Sequence, residues 1–514
     1  MDPSIHAREA PHRPAVVMAG TGRVLTYREL DERSAGLAAA LHKVGVRDGD
    51  VIALVTDNRA EAFEVYWAAV RSGLYVTFVN RHLAPDEAAY IVSDSAAKVV
   101  FASANVAGLA AALAARVDGV EHWYCIGGDI DGYRSYDDLV AGQGERLTSQ
   151  RRGVEMLYSS GTTGRPKGIK PLRAPATTDD AADPFVTLLE HGFAVGPDDV
   201  YLSPAPIYHA APLKWCAAVH ALGGTVVLME RFDADDALAA IERFRVTVAQ
   251  LVPTMFVRML QLSAAARTAY DVSSLRLAVH AGAPCPPEVK DRMIRWWGPI
   301  LVEYYSATEQ HGTTLITTEE WQRKRGSVGR AVIGTLHICD DDGDELPPGD
   351  VGTVYFERDA APFEYHGDPD KTASSRHPRH RSWCTVGDLG YTDDDGYLYL
   401  TDRKAFMIIS GGVNIYPQEI ENTLALHPAV HDVAVIGVPN AEMGEEVKAV
   451  VQLRDHVMPS PEVADDIIRH VRDSIAHYKV PRTVDFVDQL PRSATGKLVK
   501  RTLVEHYAKG EGHA

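Results

Sequence analysis

Apolar positions in the N-terminal part of the chain switch between two periods. Leu30, Leu37, Ala40 and Leu41 recur at helical spacing and predict a helix from about Arg28 to Val44. Val51-Ile52-Ala53-Leu54-Val55 is an unbroken apolar run, the pattern of a buried strand. The alternation continues with a helix near Ala60–Ser72, a strand at Tyr75–Val79, a helix at Pro85–Ser95 and a strand at Lys98–Phe101. Strand and helix in turn, with short connections, predict a doubly wound parallel sheet. A second series follows, with strands at Asp199–Leu202, Gly224–Met229, Val246–Leu251, Leu275–His280 and Ile300–Tyr305, and helices at Trp215–Ala221 and Ala234–Phe244. Two such series predict two packed sheets. Between them, Lys170–Pro184 is rich in Pro, Ala, Thr and Asp and reads as a mobile surface segment.

From Gly326 the pattern changes to short strands punctuated by Asp341-Asp342-Gly343, Pro347-Pro348-Gly349 and Asp395-Gly396. These are hairpin turns, and they predict a small antiparallel β-barrel over about residues 326–403. The aspartates do not space as an EF-hand, because Ile338 and Tyr391 stand where acids are needed, so they are turn residues. Past about Ala405 comes a helix at Glu419–Leu426, strands at Val433–Val438 and Glu445–Leu453, a helix at Glu462–Ala476 and a strand at Thr483–Val487. The expected fold class is therefore α/β, with a large N-terminal domain (1–403) and a small α+β C-terminal domain (404–514).

Composition narrows the partners. Seventy acidic against 52 basic residues leave a formal charge of −18, which argues against nucleic acid or an anionic membrane as the main partner. Any polyanionic ligand must be held by local cations and backbone donors. The 5 cysteines are scattered without a C-x-x-C pair, which argues against a disulfide framework or a zinc site and for a reducing compartment. No apolar run is long enough for a membrane span, and Met1–Pro14 carries no apolar leader segment; the protein reads as cytoplasmic.

The densest chemistry lies in Tyr158-Ser159-Ser160-Gly161-Thr162-Thr163-Gly164-Arg165-Pro166-Lys167-Gly168-Ile169, entered by the apolar run Val154–Leu157. Glycines let backbone N–H groups approach an anion, hydroxyls add donors, and Lys167 adds a point charge. This is polyphosphate-binding chemistry. It is not a Walker A loop, since Pro166 falls where the second glycine of G-x-x-x-x-G-K-[ST] would stand. Three further clusters end strands or turns. His280-Ala281-Gly282-Ala283-Pro284 is a small-residue turn against which a flat base can lie. Tyr304-Tyr305-Ser306-Ala307-Thr308-Glu309 offers an aromatic, hydroxyls and a carboxylate able to hold Mg²⁺. Val386-Gly387-Asp388 and Thr401-Asp402-Arg403 offer a carboxylate suited to ribose hydroxyls and a cation suited to phosphate. Near the end, Pro491-Arg492-Ser493-Ala494-Thr495-Gly496-Lys497 presents a lysine on a glycine turn.

In this order, together with Pro206-Ile207-Tyr208-His209, Pro369-Asp370-Lys371-Thr372 and Ser410-Gly411-Gly412, the clusters resemble the motif set of the adenylate-forming superfamily, and of its acyl-CoA synthetases in particular. The resemblance implies ATP, Mg²⁺ and coenzyme A as cofactors and cosubstrate, and a hydrophobic carboxylic acid as substrate. It implies that Ser159, Ser160, Gly161, Thr162, Thr163, Gly164 and Lys167 hold phosphates and that Glu309 binds the metal. Gly282, Ala283, Pro284, Tyr304, Tyr305, Ser306 and Ala307 would frame the adenine, Thr308 would touch the α-phosphate, and Asp388 and Arg403 would take the ribose. Lys497 would bridge carboxylate and phosphate in the first step, and Gly411 and Gly412 would line the coenzyme A channel in the second. Tyr208, His209 and Trp215 would shape the acyl pocket, with His209 also near the chemistry. The family serves both steps by rotating the small domain, here on a hinge near Lys404-Ala405.

The chain departs from the family pattern at Ala405, where an acid or lysine is usual, at Ser306, where a glycine or alanine is usual, and at Val386, where a threonine is usual. Other readings are an enzyme running one half-reaction beside a partner enzyme, a carrier-protein loader, and a nucleotide-sensing binding protein. A partner enzyme or a homo-oligomer stays open as the protein partner. The last reading would be favoured by loss of Glu309 or Lys497, and both are present.

Overall fold

The computed structural model describes residues 3–141, 146–147, 151–159, 166–173, 183–403, 406–410, 413–425, 427–440, 443–492 and 498–508, and only the backbone of 402, 403, 414 and 508. Two large sheets carry the N-terminal part. The first has nine strands, in the order Arg330–Ile333, Thr313–Thr317, Leu301–Ser306, Leu277–His280, Val248–Leu251, Val200–Ser203, Thr225–Leu228, Pro14–Met18 and Val24–Thr26. Its strands from Leu301–Ser306 to Pro14–Met18 run parallel, and antiparallel strands close both edges. The second sheet has six parallel strands, in the order Arg134–Ser135, His122–Ile126, Ala97–Ser103, Val51–Val55, Tyr75–Val79 and Val154–Glu155.

The period-2 pattern explains how the layers stack. Ile52 and Leu54 face one core while Val51, Ala53 and Val55 face another, and Val16 and Val17 divide in the same way. The shared core holds side chains from both sheets and from the helices Tyr27–Lys43, Glu61–Arg71 and Ala210–Ala221 between them. Every residue of Glu61–Arg71 is buried, as a helix between two sheets requires. Outer helices cover the remaining faces, giving the two packed doubly wound sheets expected from the alternation.

Local signals set the helix ends. Thr26 and Glu29 form a reciprocal capping box at the start of Tyr27–Lys43. The helix expected from Trp215 begins earlier, at Ala210, because Pro212 sits in the first turn, where its missing N–H costs no helical bond. Within the shared core, Trp67 Nε1 donates to His220 Nδ1 at 3.3 Å, which leaves His220 Nε2 to donate to the Ala15 carbonyl at 3.1 Å. Burial pulls that imidazole down to about 3, so it is neutral.

The barrel-like part is carried by two antiparallel sheets. One joins Thr335–Cys339, Gly352–Glu357, Asp388–Thr392 and Leu398–Arg403, with Trp383–Cys384 alongside; the other joins Phe363–Tyr365, Lys167–Pro171 and Leu157–Ser159. The aspartate clusters are turn residues. Asp340 accepts the amides of Asp342 and Asp344 at 3.0 and 2.8 Å, and Asp393 accepts those of Asp395 and Tyr397 at 3.0 and 2.9 Å.

From Ile408 the chain builds a separate five-stranded sheet, with the helices Pro417–Leu424 and Pro461–Ser474 on one core. The helix Lys500–Ala508 covers the other face through Leu503, Val504 and Tyr507, and was not legible in the basic tail. Among the described residues no helix is long and apolar enough to cross a membrane.

Candidate active site

Parallel strands deliver their C-terminal ends to one edge of the sheet, and that edge is where ligands bind in such folds. Here Leu277–His280 leads into Gly282-Ala283-Pro284, its neighbour Leu301–Ser306 ends in Tyr304 and Tyr305, and Val200–Ser203 leads into Tyr208 and His209. Gly282 has φ of +85° and nothing but the Val252 methyl, at 3.8 Å, beside the site of a Cβ. The turn is open on that side, as a flat ring approaching the backbone needs.

A buried ion pair ties the helix Pro287–Trp297 to the strand Leu301–Ser306. Lys290 Nζ lies 2.7 Å from Glu303 Oε2, and His280 Nε2 lies 3.7 Å from the same oxygen. Lys290 is completely buried and lies over the Trp321 ring. Burial raises the Glu303 carboxyl, with Lys290 opposing, and burial lowers His280. The sequence gives no sign of this pair, since no motif or spacing links Lys290 to Glu303.

The Tyr305 hydroxyl donates to Asp388 Oδ2 at 2.7 Å. Asp388 follows Gly387, whose φ is +85° and whose amide donates to Thr385 Oγ1 at 3.0 Å. The hydroxyl missing at Val386 is thus supplied one residue earlier. Arg403 stands directly opposite Asp388 in the antiparallel pair, its side chain lying outside those described.

Behind Tyr305 the chain makes a tight turn. Gln310 is left-handed at φ of +53°, and Arg358 Nη1 donates to its carbonyl at 3.2 Å. Ser306 Oγ donates to the Gly312 carbonyl at 2.8 Å, so the departure from glycine or alanine at this position ties the turn. His311 is fully buried and lies edge-on to Tyr305 and Phe356, with ring centroids at 6.2 and 5.0 Å. Among the described residues neither of its ring nitrogens has a hydrogen-bond partner. Burial pulls His311 down to about 4, opposed by nearby Asp388 and aided by Arg358.

On the other side, Glu309 is buried and its Oε1 accepts the Tyr365 hydroxyl at 2.9 Å. Lys167 Nζ lies 5.9 Å from the centroid of the same Tyr365 ring. Burial holds the Lys167 ammonium below its usual range, with Lys371 adding to the effect and Asp368 and Glu309 opposing it. Lys167 pairs with Ser159, Gly168 with Tyr158 and Ile169 with Tyr365, so antiparallel strands flank the glycine- and threonine-rich motif on both sides. Gly168 is required there, because a Cβ would come within 2.9 Å of the Tyr158 ring. Ser160, Gly161, Thr162, Thr163, Gly164, Lys404, Ala405, Gly411, Gly412 and Lys497 lie outside the described residues, as does most of the segment expected to be mobile.

Among the described residues no three His, Cys, Asp or Glu side chains gather as a metal cage. A single buried carboxylate with one oxygen fixed by a phenol still suits Mg²⁺, which takes one or two carboxylates and completes its shell from phosphates and water.

At the acyl end, Asn58 joins the two large sheets. Its Nδ2 donates to the carbonyls of Ala205 and Met229 at 3.0 and 2.8 Å, and its Oδ1 accepts the Ile207 amide at 3.0 Å. These three bonds fix the segment carrying Tyr208 and His209. The signal for it was a polar Asp57-Asn58-Arg59 triplet just past an apolar strand. Tyr208 is buried against His209, with ring centroids 4.5 Å apart. Trp215 departs from the expectation that it shapes the acyl pocket. It is completely buried, stacked between Tyr201 and Phe193 at 5.6 and 6.1 Å, and so backs the site as core. Tyr304 adjoins it, and burial pushes that phenol up to about 12.

Residues 4–361 match the family described as AMP-binding enzyme, and residues 419–497 match the AMP-binding enzyme C-terminal domain. A feruloyl-CoA synthase of Amycolatopsis is 35% identical over 97% of this chain and 96% of its own. The long-chain-fatty-acid–CoA ligase FadD13 of Mycobacterium tuberculosis is 32% identical over 98% of this chain and 97% of its own. ScoC of Streptomyces coeruleorubidus, a fatty acid–[acyl-carrier-protein] ligase, is 30% identical over 98% and 95%. Among solved structures, ATP-bound MatB from Rhodopseudomonas palustris superposes with a TM-score of 0.84 at 32% identity, covering 99% of both chains.

Proposed function

Because the chain belongs to the AMP-binding enzymes, the adenylate-forming superfamily that includes the acyl-CoA synthetases, we propose that it activates a hydrophobic carboxylic acid with ATP and passes the acyl group to coenzyme A. In the first step a carboxylate oxygen attacks the α-phosphorus and pyrophosphate leaves. In the second the coenzyme A sulfur, as thiolate, attacks the acyl carbonyl and AMP leaves. Two anions meet in the first step, so the site must neutralise charge with preorganised donors and exclude water.

In this reading Gly282-Ala283-Pro284 and Tyr305 bracket the adenine, and Asp388 with Arg403 takes the ribose. The segment from Ser159 to Lys167 holds the phosphates, and Thr308 donates to the α-phosphate. Glu309 would hold Mg²⁺, which supplies charge neutralisation on the triphosphate. Lys497 bridges the reacting groups, and Gly411-Gly412 on the same small domain lines the thiol path once that domain has turned on Lys404-Ala405. Tyr208 and His209 face the acyl group, with Trp215 behind. What carries the reading is the convergence of Asp388 on Tyr305 and of Glu309 and Lys167 on Tyr365, at the edge where the parallel strands end. All 5 cysteines are free thiols, which suits a cytoplasmic location.

A second reading, transfer to a carrier-protein thiol, is favoured by the likeness to ScoC. One experiment separates the two. Purified protein is given ATP, Mg²⁺ and a panel of aliphatic and aromatic acids, and pyrophosphate, acyl-CoA and acylated carrier protein are scored separately. Acid-dependent pyrophosphate release with matching acyl-CoA is expected. Release with carrier acylation and no acyl-CoA would replace the leading reading, and no release with any acid would remove both.

A further inference from the structure

The motif Pro369-Asp370-Lys371-Thr372 has no part in the roles given above, yet its turn is bonded to Tyr365, the residue that touches Glu309. We propose that Tyr365 is the positioning residue for the Glu309 carboxylate, and that the Asp368–Thr372 turn exists to hold Tyr365 in place. This rests on the reading of Glu309 as the metal carboxylate.

Tyr365 is fixed from three directions. Its amide donates to Thr372 Oγ1 at 2.9 Å, and that hydroxyl donates onward to the Asp368 carbonyl at 2.8 Å. Asp368 also caps the helix Pro369–Ser374, accepting the Lys371 amide at 2.9 Å, so the turn and the helix start are one hydrogen-bonded unit. Phe363 packs edge-on to the Tyr365 ring at 5.3 Å. The strand Phe363–Tyr365 pairs with Lys167–Pro171, which places Tyr365 opposite Ile169 in the arm of the phosphate hairpin.

From that position the side chain reaches two charged groups at once. The phenol donates to Glu309 Oε1, and the ring face lies under the Lys167 ammonium. A glutamate follows its backbone through three rotatable bonds, and a single donor on one oxygen removes most of that freedom. The second oxygen is then left for the metal. Tyr365 therefore links the strand end that carries Glu309 to the hairpin that carries Lys167. That linkage explains why an aromatic hydroxyl, and not merely an apolar ring, stands in this strand.

The test is Tyr365→Phe, which keeps the ring over which Lys167 lies and deletes only the donor. Metal binding is read directly, by titrating Mn²⁺ into protein with ATP and following the paramagnetic signal, beside the Mg²⁺ dependence of pyrophosphate release. The expected result is a roughly tenfold rise in both half-saturation concentrations, the size for a hydrogen bond to a charged group. Thioester formation from synthetic acyl-adenylate, which needs no triphosphate-bound metal, should change much less. Thr372→Val removes the clamp without touching Tyr365 and should move the metal affinity in the same direction. Unchanged metal binding in both variants overturns the proposal. Glu309→Gln separates the two levels. If it weakens Mn²⁺ binding while Tyr365→Phe does not, the positioning role alone is wrong. If it too leaves binding unchanged, the metal reading of Glu309 falls.

Discussion

The Tyr305 hydroxyl sits 2.7 Å from Asp388 Oδ2, so one hydrogen bond joins the two side chains that the proposed function gives to the adenine and the ribose. A base stacking on Tyr305 and a sugar binding Asp388 thus act on two ends of one hydrogen bond.

Asp388→Ala should weaken AMP and acyl-adenylate analogues about tenfold to a hundredfold, the value of one charge-assisted pair. Tyr305→Phe should cost less, because the ring remains. Together the two should cost less than their sum, since they share one interaction. Calorimetric titration with AMP checks all three. Wild-type affinity in Asp388→Ala would remove the ribose assignment.

His311 predicts a pH dependence. Its folded value lies near 4, below the ordinary 6.5, so between those values the unfolded chain binds a proton that the folded chain refuses. Its contribution to stability is complete above that window and is lost as pH falls through it. Between pH 7 and 5 the loss from this one group is about 2 kcal/mol. His311→Gln should flatten the pH dependence by about that amount, read from denaturant midpoints. His220 and His280 are also held low by burial, so the difference between wild type and variant is the quantity to compare. Parallel pH curves would contradict the assignment.

The Lys290–Glu303 pair predicts a stability pattern. Lys290→Met alone strands a buried carboxylate and should cost about 3–5 kcal/mol, while Lys290→Met with Glu303→Leu removes both charges and should recover most of it. Thermal unfolding distinguishes these outcomes. A double variant as unstable as the single one would mean that the stranded charge is not what the single variant loses.

How much of this was legible follows from the kind of signal. The buried strands Val51–Val55 and Leu277–His280 announce themselves through apolar runs, and the two packed sheets follow from the alternation with helices. Asp388 and Glu309 stand out in the sequence because the residues that mark them are immediate neighbours in the chain. What the sequence hid was contact between distant segments. Asn58 reaches Ala205 and Met229, and Tyr365 reaches Glu309, and no spacing rule connects such positions. Trp215 was misplaced for a related reason, since apolar bulk near a site does not say whether it lines the cavity or backs it.

The central claim is that two half-reactions run here through one acyl-adenylate, and Lys497→Ala tests it most directly. Acid-dependent pyrophosphate release should fall by roughly 10²–10³-fold, as for loss of one preorganised donor. The same variant should still convert synthetic acyl-adenylate and coenzyme A to thioester, because that step presents the face carrying Gly411 and Gly412. An equal loss in both assays, or adenylation left intact, would contradict the account.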